Sequence, residues 1–92
     1  MAEEAERVGM IYKFYSDETF AEESWKLALG LAQMPTKGIA LTKQLLNETY
    51  HHTLRHQLAI EGKYQVEASE SYDYNEGVTA FLEKRKPVFK GH

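Results

Sequence analysis

Apolar residues recur along most of this chain at a spacing of three and four, the period of a helix that buries one face. Phe20, Leu27, Ala28, Leu31 and Met34 fall on one stripe, with Ser24 among them, which predicts an amphipathic helix over 17–34. Ser16-Asp17-Glu18 supplies an N-cap and first-turn acids for it. Pro35 ends that helix and suits the first turn of the next, which carries Ile39, Leu41, Leu45 and Leu46 to about Asn47. A third helix is expected from about His51 to Ser69 on Leu54, Leu58, Tyr64 and Ala68, with a bend or a change of packing partner at Glu61-Gly62, where the stripe breaks.

The ends of the chain are punctuated differently. Ala2 to Val8 read as a short helix closed by Gly9 at the position after the cap. Met10 to Tyr15 are rich in aromatic and β-branched residues and suit a strand, yet no partner strand exists elsewhere. A lone strand leaves its own backbone donors and acceptors unpaired, so an extended segment outside any sheet is expected near residues 10–15. Asp73-Tyr74-Asn75-Glu76 resembles a capping box, Val78, Phe81 and Leu82 give the last helix its apolar face, and Pro87 stops it. The fold class is therefore all-α: three to four substantial helices in a single helical segment, 1–92.

Composition narrows the function classes. The 92 residues hold no cysteine, so neither a disulfide framework nor a thiolate metal cage is available. No apolar run is long enough to span a membrane. The acidic start, Met1-Ala2-Glu3-Glu4, is unlike the basic opening of a secretory leader, and a cytoplasmic protein is expected. The formal net charge is -3. Lys84, Arg85, Lys86 and Lys90 gather at the end of an otherwise acidic chain, too narrow a basic footprint for nucleic acid but enough for one or two phosphates.

Candidate chemistry is sparse. His52 and His56 stand one turn apart beside His51, but two ligands without a third make no metal site. Glu3, Glu4 and Glu6, and the pair Glu22 and Glu23, read as solvated faces. Tyr64, Tyr72 and Tyr74 read as amphipathic covers of a small core, or else as a ligand or subunit surface. Phe81 and Lys84, three apart on the last helix, place an aromatic ring beside an ammonium group. No nucleophile elbow, phosphate-binding loop or dinucleotide fingerprint occurs, and no cofactor is expected.

Three stretches carry a resemblance to the enoyl-CoA hydratase/isomerase (crotonase) family. They are the opening from Ala2 to Ile11, the run from Gln33 to Asn47, and the ending Tyr74-Asn75-Glu76-Gly77-Val78-Thr79-Ala80-Phe81-Leu82-Glu83-Lys84-Arg85-Lys86-Pro87-Val88-Phe89. Thr53-Leu54, Gln57-Leu58, Glu61, Tyr64-Gln65 and Asp73-Tyr74 look most like the phenylacetate-pathway isomerases, which act on ring-epoxide or oxepin acyl-CoA thioesters. The resemblance implies that this chain corresponds to the family's C-terminal helical region. The spiral core with both oxyanion-hole amides and the acid–base residues would be absent, and the chain alone would be inactive. It implies that Phe81 and Lys84 border the CoA of a neighbouring subunit, acyl-CoA being held only with a complete core. It also implies self-association into trimers or hexamers, with no nucleic-acid or membrane partner. A free-standing helical interaction module is the rival reading. On either, Ile39, Leu45, Leu54, Leu58 and Phe81 are expected to form an apolar surface that a partner covers.

Overall fold

The computed structural model describes residues 1–92 and contains helices joined by short connections, with no strand. The chain divides into two compact units, Met1–Leu31 and Ala32–His92.

In the first unit, α1 (Ala2–Arg7) ends as its glycine requires. Gly9 adopts φ 76, a left-handed conformation that costs glycine nothing for want of a Cβ. Its N–H donates to the Glu6 carbonyl at 3.0 Å and that of Met10 to the Ala5 carbonyl at 2.8 Å. These two bonds are the paired closure of a Schellman motif, which satisfies carbonyls left over at the helix end. Residues 9–12 then turn and 13–16 run without regular structure. The segment from Met10 to Tyr15 forms no strand, and Phe14 finds a side-chain acceptor instead: its N–H donates to the Glu6 carboxylate at 2.9 Å. α2 runs Phe20–Ala32, shorter at both ends than the apolar stripe predicts, because residues 17–19 form a turn ahead of it. Glu22 and Glu23 both pair with Lys26, at 2.8 and 3.2 Å, on an exposed helix face.

In the second unit, α3 (Thr36–Glu48) follows Pro35, which stands at the N-cap itself. One 3-10 turn, Thr49–His51, leads to α4 (Leu54–Ser69), whose N-cap Thr53 accepts the His56 N–H at 3.2 Å. His51 therefore lies before α4. The helix is continuous through Glu61-Gly62 and packs on both α3 and α5, although a mid-helix glycine costs about 1 kcal/mol against alanine. The corner between α3 and α4 is fixed by Gln57, whose amide donates to the Leu45 carbonyl at 3.3 Å while its oxygen meets His52 Nδ1 at 3.0 Å.

α5 (Tyr72–Glu83) begins differently from its sequence signal. The cap is Ser71, whose Oγ accepts the Tyr74 N–H at 3.1 Å and donates to the Ala68 carbonyl at 2.6 Å. Asp73 and Glu76 sit inside the helix, and their carboxylates reach residues that come after it. Residues 85–92 fold back along α5: Lys90 and Gly91 donate their N–H groups to Asp73, and Val88 donates to Glu76.

Little of the chain is buried. Ala80 is the one fully enclosed apolar residue, at 1% exposure, and the buried polar residues are Ser71 and Asp73. Leu54 and Leu58 are largely exposed, Phe81 is 82% exposed, and Leu45 is half-buried. The large exposed side chains of α4 and α5 are what a helical layer shows when nothing covers it.

Candidate functional site

The second unit holds an open apolar cleft of about 460 Å³. Gly38 of α3, Ala68 of α4, Gly77, Val78 and Phe81 of α5, and Phe89 of the returning tail line it. Small residues let the walls approach. A Cβ at Gly77 would lie 3.6 Å from the Phe89 ring, an ordinary van der Waals contact, so a small residue there sits against the tail without strain.

The end of α5 forms the charged rim beyond Phe81. The helix stops at Glu83, so Phe81 and Lys84 are related by a turn and not by helical periodicity. Lys84 has φ 54 and ψ 38, the left-handed region, and no other residue except glycine has positive φ. Its N–H donates to the Phe81 carbonyl at 3.2 Å and that of Arg85 to the Ala80 carbonyl at 3.0 Å. This is again a Schellman closure, with lysine where glycine is usual. The left-handed backbone costs a residue with a Cβ about 1 kcal/mol or more.

The residues on either side of Lys84 are tied together. Arg85 donates to Glu83 through Nε and to Glu76 through both terminal nitrogens, at 2.6 and 2.9 Å. Glu76 also accepts the Val88 N–H at 2.8 Å, and its side chain is 10% exposed. Those bonds, Arg85 first and then Val88, hold the Glu76 carboxyl down at about 2, and the carboxylates of Glu76 and then Glu83 raise the Arg85 guanidinium. Arg85 is therefore neutralised, while Lys84 and Lys86 make no ion pair.

The other candidate residues lie apart from this rim. Tyr74 lines the cleft. Tyr72 lies under the Lys90 ammonium at 4.4 Å and beside the His92 ring at 5.5 Å. Tyr64, half-buried in α4, does not join them; burial first, then Glu48 and Glu67, push its hydroxyl up. His52 and His56 stack at 4.1 Å, and no group of three or more histidine, aspartate or glutamate side chains is placed to hold a metal ion. Sequence reasoning missed Glu76, Arg85 and Asp73 as a group, because their partners lie up to 18 residues away and carry no periodic signal.

The family model described as enoyl-CoA hydratase/isomerase matches residues 1–92. The chain belongs to that family. It is 48% identical over 90 residues to the 1,2-epoxyphenylacetyl-CoA isomerase of Escherichia coli (strain K12), a match covering 98% of this chain and 34% of that protein. Against a probable enoyl-CoA hydratase of Rhodobacter capsulatus it is 42% identical over 91 residues, covering 98% and 35%. The crystal structure of an enoyl-CoA hydratase from Polaromonas sp. JS666 superposes with a TM-score of 0.82 at 32% identity, over 97% of this chain and 35% of that one. The chain thus spans about a third of the length of these members of the enoyl-CoA hydratase/isomerase family.

Proposed function

We propose that this chain is the C-terminal helical part of an acyl-CoA hydratase or isomerase, most akin to those of phenylacetate degradation in the cytoplasm. In that role it contributes subunit contacts and one wall of the CoA site and no acid–base group. Phe81 borders the ligand channel and Lys84 faces the adenosine phosphate, in a trimer or hexamer completed by catalytic cores. The observation that carries the reading is the 48% identity to a 1,2-epoxyphenylacetyl-CoA isomerase across 98% of the chain and only 34% of that enzyme. The exposed Phe81 at the mouth of an apolar cleft, followed by two unpaired lysines, is the kind of surface a phosphorylated and partly apolar ligand requires.

The test is a chimera in which residues 1–92 replace the matched segment of the Escherichia coli isomerase. The chimera is expected to turn over acyl-CoA, and the 92-residue chain alone is expected not to. An assembled chimera without activity would contradict the reading, as would turnover by the isolated chain that falls with a substitution in it.

A further inference from the structure

The one non-glycine residue of this chain with a left-handed backbone is also the residue assigned above to the CoA phosphate, and its two neighbours are joined across it. Lysine at that position is held against its own preference. We propose that Glu76, Arg85 and Glu83 form a positioning clamp that sets the backbone of Lys84, and with it the placement of the ammonium group at the ligand rim. The inference rests on the reading of Lys84 as a CoA contact and goes beyond it.

The geometry has three parts. Arg85 grips both oxygens of Glu76, a two-pronged contact that fixes the guanidinium plane as a single bond would not. The same guanidinium reaches back to Glu83, so the chain entering and the chain leaving Lys84 are held by one group. Glu76 in turn anchors the tail through the Val88 N–H. Residues 83, 85 and 88 are thus all referred to one carboxylate in the body of α5. Lys84 itself makes no side-chain hydrogen bond or ion pair, so the clamp restrains its backbone and leaves the ammonium free. The adjacent Lys86 has its carbonyl on Arg85 Nη1 at 3.3 Å, which extends the same restraint one step further.

A clamp of this kind predicts coupling between positions 76 and 84. Glycine accepts the left-handed conformation without help, so Lys84→Gly keeps the corner while removing the ammonium group. In the chimera, Glu76→Gln is expected to raise KM for acyl-CoA about three- to tenfold with kcat nearly unchanged. In a Lys84→Gly background the same substitution is expected to leave KM where Lys84→Gly alone puts it. Arg85→Lys, which keeps the charge but grips with one prong, is expected to fall between wild type and Glu76→Gln. In the 92-residue chain, the Lys84 Cα chemical shift is expected to carry a left-handed signature that Glu76→Gln diminishes.

The outcomes separate the two claims. If Lys84→Gly leaves KM unchanged, the CoA assignment of Lys84 fails and the clamp has nothing to position. If Lys84→Gly raises KM but Glu76→Gln does not, the assignment stands and the clamp is overturned. Equal effects of Glu76→Gln on KM in both backgrounds would show a general structural role and overturn it as well. If Glu76→Gln does not fold, Arg85→Lys carries the same comparison.

Discussion

Asp73 and Gly91 lie 18 residues apart in sequence and meet directly: the Asp73 carboxylate accepts the Gly91 N–H at 2.8 Å. It accepts the Lys90 N–H as well, at 2.6 Å, and the Asp73 N–H donates to the carbonyl of His92 at 3.1 Å. Three bonds to one residue tie the end of the chain to the first turn of α5. Asp73 itself is buried, at 3% exposure.

Asp73→Ala would remove the acceptor of two part-buried backbone donors, those of Lys90 and Gly91. Each such loss costs roughly 1–3 kcal/mol. The substitution is expected to destabilise the second unit by about 2 kcal/mol or more and to release residues 88–92. Thermal melts and amide exchange at Lys90 and Gly91 check this; protected amides in the variant would show that the tail is held by other means.

The Glu76 carboxyl lies at about 2 against an ordinary 4.5. A group depressed on folding contributes stability that is complete above its unfolded value and fades as pH falls toward its folded one. Wild type is therefore expected to lose more melting temperature than Glu76→Gln between about pH 4.5 and 2, and the two curves to run parallel above about pH 5. Parallel curves across the acid range would remove Glu76 as the source.

Leu54 is 76% exposed, and Leu58 and Phe81 are exposed as well. Apolar surface of this kind on a chain with one enclosed apolar residue favours association. Sedimentation is expected to show a concentration-dependent dimer or larger species, and Leu54→Lys with Leu58→Lys to shift it toward monomer. Monomer at every concentration would contradict this and would weaken the rival reading as an interaction module, which mixing with a full-length relative tests further.

α2, α3 and α5 are legible because each keeps a helical stripe of apolar residues, α4 because Leu54, Leu58, Tyr64 and Ala68 recur on either side of its broken stripe, and the left-handed Gly9 because glycine followed by a strand-like run marks a helix end. Asp73-x-x-Glu76 misleads because it matches a capping box, while the bonding cap is two residues earlier at Ser71. What those carboxylates do depends on residues 85–91 folding back, which no local pattern encodes. The family resemblance points to Lys84 but not to its left-handed backbone, against which the residue type itself argues. The Met10–Tyr15 run shows the converse: strong strand propensity yields no strand where no neighbouring strand is available to pair with it.

The most direct test of the CoA role is the KM for acyl-CoA of the chimera carrying Lys84→Ala. A charge-assisted contact is worth roughly 1.5–3 kcal/mol, which predicts a rise in KM of about tenfold or more with little change in the melting of the isolated chain. An unchanged KM, or a large loss of helix in the chain, would show that Lys84 is structural and that the ammonium group takes no part in binding CoA.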